Sequence, residues 1–437
     1  MWEGWLRNWD EAWYAEIIKN MAVKDYGWLM PWWNGRYYFD HPPLYFWLSS
    51  MVVKLFGLGE WQVRIVAVVA GLGVVWLTYI LGKRLFSRRA GIGASLMVVS
   101  LAQVIVRFSH GNLDSLMIFL FLLTFYLWFR QKPGWAGITL GLGFLVKGWL
   151  VGLFPIVWIG IYEGVVKKRL PVKRMMRVML IGTGVFLAWV IPAAIRFGKP
   201  VVDRYLLMPE AGRLSRPEAM WSLKFFEYLV RDVGLWVIPG LILVLKPKWV
   251  EANKRRTMAI LLLVSFGFIF SLNFLDEKSD WYLLPVYPLL ALVIGYLSSR
   301  WNKVAVTMLV IVGLVNAYRV EMIYPDRSAV GAELGRYARK VIPRGETVVL
   351  DDHDFTAFLF YSDAGMVYVP SPGGGKPGEW WMLGYDELTK LVAEKAPVWI
   401  VTPNLNNLPE ELRVKETAEY KGYKFLRAWG GFSDSGR

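Results

Sequence analysis

Long apolar segments are the feature of this sequence that most restricts its possible folds. They lie near 62–82, 91–108, 115–130, 134–147, 149–164, 178–197, 229–246, 257–275, 281–298 and 304–318. A helix needs roughly 20 apolar residues to cross a bilayer, and several of these segments reach that length. Hydrophobic residues make up 55% of the whole chain. The sequence therefore predicts a polytopic α-helical membrane protein with about 10–11 transmembrane helices.

Basic residues collect in the short gaps between these segments. The formal net charge of +15 could indicate nucleic-acid binding, but nineteen of the 50 basic residues occupy these gaps, where the only nearby acids are Glu163 and Glu251. Such a pattern marks the cytoplasmic loops of a membrane protein, so the charge reflects topology. The nineteen residues are Lys83, Arg84, Arg88, Arg89, Arg130, Lys132, Lys167, Lys168, Arg169, Lys173, Arg174, Arg177, Lys246, Lys248, Lys254, Arg255, Arg256, Arg300 and Lys303.

This topology divides the chain into three parts. Residues 1–61 form a first extracytoplasmic loop with two interfacial helices, Asp10–Lys24 and Pro42–Phe56. Residues 62–320 form the transmembrane bundle, which includes an outer loop at 198–228. The basic gaps before and after 134–164 both predict the cytoplasmic side, so the chain must cross the membrane an even number of times between them. Residues 134–164 are therefore predicted to be two short helices that turn at Lys147-Gly148. Because no helix precedes the first outer loop, we expect that a transmembrane helix is missing from the N-terminus.

Residues 326–437 change in character and predict a small extracytoplasmic α/β domain. Helix-like stretches at Ala329–Val341 and Tyr385–Glu394 alternate with strand-like ones. The glycine-rich stretch Ser371–Gly378 is interpreted as a flexible loop, because no Lys-Ser/Thr pair follows as in a phosphate loop. The predicted strands are Thr347–Leu350, Met366–Val369, Val398–Val401 and Lys424–Trp429.

Unusual polar residues collect on the predicted outer side. Asp10 and Asp114 could be ordinary helix N-caps, each stabilising by ~1 kcal/mol. His41 could be a common loop residue, and Arg213 and Lys278 could be solvated loop charges. Placing the charge of Lys147 between two apolar helices costs free energy unless it meets an anion, so we interpret Lys147 as a functional residue. Together these side chains favour a site that binds a phosphate beside the bilayer. A transporter is expected to place its charges at mid-membrane between related halves, and we find no such repeat.

The first loop resembles that of a known family. WDEAWYAEIIKNM, DYGWLMPWWNGRYYFDHPPLYFWLSSMVVKLFG and EWQVRIVAVVAG are similar to the first outer loop and following span of polyprenyl-phosphate-dependent GT-C type glycosyltransferases. Protein O-mannosyltransferases and lipid A aminoarabinose transferases are members. NLDSL, GFLVKGW and EKSDWYLLPVYPLLAL extend the resemblance to about residue 300. It implies a GT-C fold and transfer of a sugar from a polyprenyl or dolichyl phosphosugar to a lipid, glycan or protein acceptor.

The resemblance also implies roles for individual residues. Asp10 would be the general base for the acceptor hydroxyl and Glu11 its support, in an inverting reaction. His41 stands where the aminoarabinose enzymes use a lysine for the donor phosphate, and its partial charge near neutrality makes this a departure from the family. The residues assigned to the donor phosphate and lipid are Tyr38, His41, Lys147, Arg213, Lys278 and Tyr282, and the supporting or metal-binding candidates are Asp40, Asp114 and Glu218.

Metal use and three alternative functions stay open at this point. The long loop of the aminoarabinose enzymes carries a metal-binding histidine, whereas SRPEAMW here offers only Glu218. The absence of cysteine excludes thiol catalysis. The alternatives are a flippase of lipid-linked sugars and an oligosaccharide ligase on the same scaffold; an inactive glycan-binding relative is a third. The tryptophans near the site (Trp9, Trp13, Trp32 and Trp33) are mostly interpreted as interfacial anchors. We expect a multi-pass protein of the cell membrane with no nucleic-acid partner.

Overall fold

The computed structural model of the chain describes residues 4–207, 222–237, 250–275, 278–298, 303–324, 329–371, 379–395 and 397–429. The first segment contains helix α1 (Asp10–Ala22), a hairpin of two-residue strands β1 (Trp32–Trp33) and β2 (Arg36–Tyr37), and helix α2 (Leu44–Phe56). The two helices lie where the sequence predicts them. The hairpin was not predicted, because its strands are too short to show a pattern.

A helical bundle follows the first segment. Its helices are α3 (Glu60–Leu85), α4 (Arg88–Ser100), α5 (Ala102–Ser109), α6 (Asp114–Phe129), α7 (Pro133–Lys147), α8 (Trp149–Gly152), α9 (Phe154–Val165), α10 (Val172–Phe197), α11 (Lys199–Val202), α12 (Lys224–Val233), α13 (Ala252–Leu272), α14 (Tyr287–Ser298), α15 (Lys303–Tyr318) and α16 (Val320–Ile323). A π-helical turn (Asp203–Leu207) follows α11, and 3-10 turns lie at Gly234–Trp236 and Asp280–Val286.

The bundle agrees with the predicted spans in place but not always in continuity. The segment predicted at 91–108 is two helices, α4 and α5, which meet at Leu101 with a bend of 72°. Among the described residues, four helices are long and apolar enough to cross a membrane, or five if this bent pair counts as one span. The predicted span 229–246 begins in α12, and its residues from 238 onward lie outside the described part.

Glycines let neighbouring helices of the bundle approach closely. A Cβ at Gly82 of α3 would lie 2.7 Å from the Cα of Gly91 in α4, and a Cβ at Gly91 would lie 2.5 Å from the carbonyl oxygen of Tyr79. Helices without a strong hydrophobic driving force between them associate through such small residues. The α3–α4 contact therefore depends on the absence of side chains at these two positions.

The C-terminal region is an α/β domain, as predicted. Its helices are α17 (Ala329–Val341), α18 (Phe355–Ser362) and α19 (Tyr385–Lys395), with a 3-10 turn at Leu405–Asn407. Its strands are β3 (Thr347–Leu350), β4 (Met366–Pro370), β5 (Met382–Leu383), β6 (Val398–Thr402), β7 (Arg413–Tyr420) and β8 (Tyr423–Trp429), in the order β5-β4-β3-β6-β8-β7. The strands β5, β4, β3 and β6 pair in parallel, whereas β8 pairs antiparallel with β6 and β7. Most of the predicted loop Ser371–Gly378 lies outside the described residues.

Alternation along the strands gives this sheet two apolar faces. Val348 and Leu350 belong to the cluster that also contains α17, α18 and the bundle, whereas Val349 belongs to a separate cluster with Leu388 and Leu391 of α19. Successive residues of a strand point to opposite faces, which explains the division. The first face carries the hydrophobic core continuously from the bundle, through α1, into the C-terminal domain.

Candidate active site

The adjacent carboxylates at the start of α1 have different partners. Glu11 is 3% exposed and accepts hydrogen bonds from Arg64 of α3, with Nε 2.7 Å from Oε1 and Nη2 3.1 Å from Oε2. It also accepts from the backbone N–H of Gly111 at 2.8 Å and of Arg7 at 2.7 Å. Glu11 thus joins four segments of the chain and has no room for a substrate.

Electrostatics keep this buried carboxylate ionised. Burial by itself opposes ionisation of Glu11, but the charge of His110, the hydrogen bonds and charge of Arg64 and the hydrogen bond of the Arg7 N–H outweigh it, so the pKa of Glu11 lies below its ordinary value. Burial lowers the pKa of the neighbouring His110, and the negative charge of Glu11 opposes that shift. Glu11 is therefore an anion at neutral pH, and its hydrogen bonds hold Arg64, Gly111 and Arg7 together beside Asp10.

Asp10 is half-exposed and belongs to a row of alternating charges. Its Oδ2 lies 2.7 Å from Nη1 of Arg107, and Nε of Arg107 lies 3.7 Å from Oδ2 of Asp114. The Nζ of Lys147 lies 2.6 Å from the other carboxylate oxygen of Asp114. We call these four residues the acidic–basic cluster. It joins the first turn of α1 to helices α5, α6 and α7 at one end of the bundle.

Neither aspartate is a helix N-cap, which corrects that interpretation. The N-cap of α1 is Trp9 and that of α6 is Leu113, and neither side chain forms a capping hydrogen bond. At α6 the amide oxygen of Asn112 accepts from the backbone N–H of Asp114 at 2.9 Å, which leaves the Asp114 carboxylate for Lys147. Lys147 therefore meets an anion, as its position required, and that anion is a carboxylate of the protein.

Arg107 is the member of the cluster that the sequence analysis missed. It lies in the predicted span 91–108, and the 72° bend at Leu101 places α5, with Arg107 near its end, beside α1. Its guanidinium also stacks 4.2 Å from the ring of Trp281, in the 3-10 turn that carries Tyr282. An arginine inside an apolar segment is a signal of function that could have identified it.

Aromatic side chains line the same region. The ring of His41 lies 6.0 Å from that of Tyr14 and 6.1 Å from that of Tyr38. Burial, followed by the negative charges of Asp10 and Asp114, holds the pKa of Tyr14 well above its ordinary value. Burial also raises the pKa of Tyr38, and Tyr14 and nearby carboxylates add to that effect. Both phenols therefore keep their protons and can donate hydrogen bonds.

The loop that carries His41 is held by the segment after α10. Nη2 of Arg204 donates to the carbonyl oxygen of Asp40 at 3.1 Å and lies 3.8 Å from its carboxylate. The hydroxyl of Tyr205 donates to the carbonyl oxygen of Phe39 at 2.6 Å. Asp40 thus helps fix the position of His41.

Of the remaining predicted residues, Lys278 contacts the end of a helix, and two others lie outside the described residues. Nζ of Lys278 donates to the carbonyl oxygens of Asn273 and Leu275, at 3.1 and 2.6 Å, at the C-terminal end of α13. This is the position of a helix-capping cation. Arg213 and Glu218 lie outside the described residues, so their predicted roles stay predictions.

The donor set of the described site does not fit a metal ion. Within the described ranges, no group of three or more His, Cys, Asp or Glu side chains converges. In the acidic–basic cluster, Arg107 and Lys147 occupy the positions from which a cation would neutralise Asp10 and Asp114. The charges that this cluster offers are therefore those of its own arginine and lysine.

The C-terminal domain packs against the residues that precede Asp10. The side-chain amide of Asn8 donates to the carbonyl oxygen of His353 at 2.9 Å, and its oxygen accepts from the N–H of Ala357 at 3.2 Å. The N–H of Trp9 donates to Oγ1 of Thr356 at 2.6 Å. Trp9 has a φ of 65°, which is unusual for a bulky residue. Contacts with the domain therefore fix the backbone directly ahead of Asp10.

Two of the tryptophans interpreted as interfacial anchors are instead part of this contact. Trp13 and Trp33 stack with ring centroids 3.8 Å apart, and Trp381 of the C-terminal domain meets both rings edge-on, at 5.2 and 5.1 Å. Trp33 is 2% exposed. Aromatic pairs of this geometry contribute about 0.5–1.5 kcal/mol beyond the area they bury, so they fix the domain on the first loop.

Sequence comparisons agree with this architecture. Residues 40–194 match the family described as dolichyl-phosphate-mannose-protein mannosyltransferase. An undecaprenyl phosphate-α-4-amino-4-deoxy-L-arabinose arabinosyl transferase of Pseudomonas fluorescens is 29% identical over 310 residues, which cover 65% of this chain and 54% of that protein. The corresponding protein of Pseudomonas paraeruginosa is 31% identical over 160 residues, 34% of this chain and 29% of that protein. The chain thus spans about half the length of the first of these relatives.

Solved structures show the same fold. The crystal structure of ArnT from Cupriavidus metallidurans bound to undecaprenyl phosphate matches with a TM-score of 0.75 at 18% identity, covering 97% of this chain and 94% of that one. The oligosaccharyltransferase AglB of Archaeoglobus fulgidus, in complex with an inhibitory peptide and a dolichol-phosphate, matches with a TM-score of 0.55 at 14% identity, covering 92% and 66%. The chain is thus a multi-pass membrane protein with the GT-C fold. It is similar to GT-C type glycosyltransferases in fold and in sequence, which confirms the resemblance inferred from its sequence.

Proposed function

We propose that this protein is a membrane glycosyltransferase that moves one sugar from a polyprenyl phosphate to an acceptor on the extracytoplasmic face, with inversion. The observation that carries the proposal is the state of Asp10. One of its oxygens is held by Arg107, and the other accepts no hydrogen bond from the described residues. A half-exposed carboxylate that is oriented but still available is the arrangement expected of a general base.

The proposed reaction is a single displacement. The free oxygen of Asp10 removes the proton of the acceptor hydroxyl while the acceptor oxygen forms a bond to C1 of the sugar. The bond between C1 and the phosphate oxygen breaks, and its electron pair leaves with the polyprenyl phosphate. Attack opposite the leaving group inverts C1, and the leaving group gains one negative charge.

The cations of the acidic–basic cluster are suited to that charge. Lys147 and Arg107 are bound to carboxylates, which offsets the cost of holding them in a partly buried site. A donor phosphate would bring a second anion to the same cations. The neutral phenols of Tyr14 and Tyr38 can add hydrogen bonds, and the ring of His41 lies 6.0 and 6.1 Å from their rings.

The outer placement of the site is supported by the charge pattern of the chain. The C-terminal domain contacts the first loop through Asn8, Trp9 and Trp33, so both lie on the same side of the bundle. The basic gaps of the sequence lie at the other ends of the helices and predict the cytoplasmic side. We therefore infer that the site and the domain face away from the cytoplasm, in the cell membrane.

The test is sugar transfer by the protein reconstituted with labelled polyprenyl-phosphate mannose, glucose or aminoarabinose, with lipid, glycan and protein acceptors offered separately. General-base catalysis contributes about 10²–10⁴-fold, so Asp10→Asn should lower turnover by that factor. Asp25→Asn is the matched control, because Asp25 is an exposed aspartate of the same loop whose partners among the described residues are Lys54 and Trp28. Equal turnover of the two variants would contradict the proposal.

A further inference from the structure

A groove of about 980 Å³ lies between the C-terminal domain and the second half of α1. One wall comes from Lys19 and Lys24 and from the turn between α2 and α3, and the other from α17 and the residues around Asp363. Lys19 lies nine residues beyond Asp10 on α1, about 14 Å at 1.5 Å per residue. The groove is therefore separate from the acidic–basic cluster.

The lining of the groove carries an excess of positive charge. Three carboxylates line it, those of Glu60, Glu333 and Asp363, against six cations, which leaves an excess of three positive charges. Concave surfaces with one dominant sign of charge concentrate ligands of the opposite sign. The six cations are Lys19, Lys24, Arg336, Arg339, Lys340 and Arg344.

The ion pairs around the groove compensate only part of this excess. Glu16, behind the α1 wall, pairs with Lys19 at 3.0 Å and with Lys24 at 3.3 Å. Asp363 is shared by Nζ of Lys19 at 3.0 Å, Nε of Arg339 at 2.9 Å and Nε of Arg344 at 3.6 Å. Lys340 forms no ion pair with any residue that the structure describes. Because Glu16 compensates Lys19, Asp363 is left to Arg339 and Arg344, and one carboxylate cannot neutralise these two arginines together with Lys340. An additional anion would therefore be stabilised here.

The groove opens at the level expected for lipid headgroups. Helix α3 begins at Glu60, which lines the groove, and its 26 residues extend about 39 Å, longer than the ~30 Å hydrocarbon core of a bilayer. The end of α3 at Glu60 therefore lies in the headgroup region. Next to it, the side chains of Leu55, Phe56 and Leu58 are exposed, and Val23 is exposed at the rim.

We propose that this groove binds the headgroup of an anionic phospholipid whose acyl chains lie against the exposed apolar side chains of the α2–α3 turn. The lipid phosphate supplies the missing negative charge. A soluble polyanion would match the cations equally well, but it has no apolar part to bury against the exposed side chains of Leu55, Phe56 and Leu58. The bound lipid bridges α1 and the C-terminal domain and so helps to hold the domain on the first loop.

The test is a titration of the full chain, purified in neutral detergent, with dioctanoyl-phosphatidylglycerol and dioctanoyl-phosphatidylcholine, followed by microscale thermophoresis. The groove variant combines Arg339→Gln, Lys340→Gln and Arg344→Gln. Because each basic residue near a lipid surface changes the affinity about fivefold, the three changes together should weaken phosphatidylglycerol binding about a hundredfold. The matched control combines Lys390→Gln, Arg413→Gln and Lys415→Gln, three exposed basic residues of the same domain outside the groove.

The proposal is supported if the wild-type protein and the control prefer phosphatidylglycerol to phosphatidylcholine and the groove variant loses that preference. Equal binding of the two lipids by the wild-type protein overturns it, and this comparison needs no variant. Tight binding of dextran sulfate without binding of phosphatidylglycerol also overturns it, in favour of a soluble polyanion. A double Arg339→Lys, Arg344→Lys variant keeps the charge and should bind within about threefold of the wild-type protein, since the field and not a particular geometry is responsible.

Discussion

Thr356 is a residue of the C-terminal domain through which the role of that domain can be tested. Its hydroxyl accepts the hydrogen bond of the Trp9 N–H at 2.6 Å and donates to the side-chain oxygen of Asn8. Thr356 is completely buried. The substitution Thr356→Val keeps the volume and shape of the side chain but removes the acceptor from the residue that directly precedes Asp10.

The structure sets the magnitude of the effect. Leaving the Trp9 N–H without a partner costs about 1–3 kcal/mol. The positive φ of Trp9 strains its backbone by ~1–3 kcal/mol, and this strain is released if the residue moves to an ordinary conformation. Relaxation would move Asp10, and a displacement of about 1 Å can reduce the rate of a positioned reaction about 100-fold. We therefore expect kcat to fall between ten- and a hundredfold.

The assay is steady-state sugar transfer with saturating acceptor and varied donor. Because Thr356 does not touch the acidic–basic cluster, KM for the donor should change by less than about threefold. Thr356→Ser restores the hydroxyl and should recover most of kcat. A control within the same domain is Thr417→Val, at an exposed threonine, which removes the hydrogen bond from Thr417 to the carbonyl oxygen of Phe425 at 2.8 Å.

A Thr356→Val protein with the kcat of the wild type would refute this reasoning. So would an equal loss in Thr417→Val, because it would show a general effect of destabilising the domain. Thermal unfolding of each variant separates the two cases.

Three further outcomes follow from the structure. Glu11→Gln removes the carboxylate that pairs with the buried Arg64 and should lower the free energy of unfolding by about 3–5 kcal/mol at pH 7, measured by denaturant titration. Since the folded pKa of Glu11 is lowered, its contribution is present at neutral pH and is lost as the pH falls below about 4, so the wild type should lose stability there more steeply than the variant. Arg107→Gln should lower kcat more than Arg107→Lys in transfer assays, because a lysine keeps the charge between Asp10 and Asp114. Gly91→Val should reduce the melting temperature by several degrees, corresponding to about 1–3 kcal/mol of overpacking, whereas Gly184→Val, at a glycine with no close neighbour, should change it little.

The elements that the sequence predicts well are those with a strong local pattern. The strands around Val348, Val367, Ile400 and Leu426 are short apolar runs bounded by polar residues, and each forms a strand. The strand Arg413–Tyr420 was missed because it lies at the edge of the sheet and is almost entirely polar. The helix Phe355–Ser362 was missed because it is buried on all sides, which removes the helical period from its sequence.

The candidate site shows a similar division. Asp10, Asp114 and Lys147 could be identified because polar residues beside apolar segments need a reason to be there. Their pairing through Arg107 could not be predicted, because it depends on the bend at Leu101. No proline or glycine in the sequence indicates a bend there. The contact between Thr356 and Trp9 joins residues 347 positions apart, and no local pattern records such a contact.

The central claim is that Asp10 is the base of a sugar transfer, and one measurement tests it most directly. Proteoliposomes that contain the protein are given a donor with tritium in the sugar and ³²P in the polyprenyl phosphate, together with the acceptor. The account predicts that tritium moves to the acceptor and separates from ³²P in the wild-type protein and in Asp25→Asn, and that this separation falls at least a hundredfold in Asp10→Asn. If the two labels cross the bilayer together, and equally in all three proteins, the protein is a transporter of lipid-linked sugars and the account is contradicted.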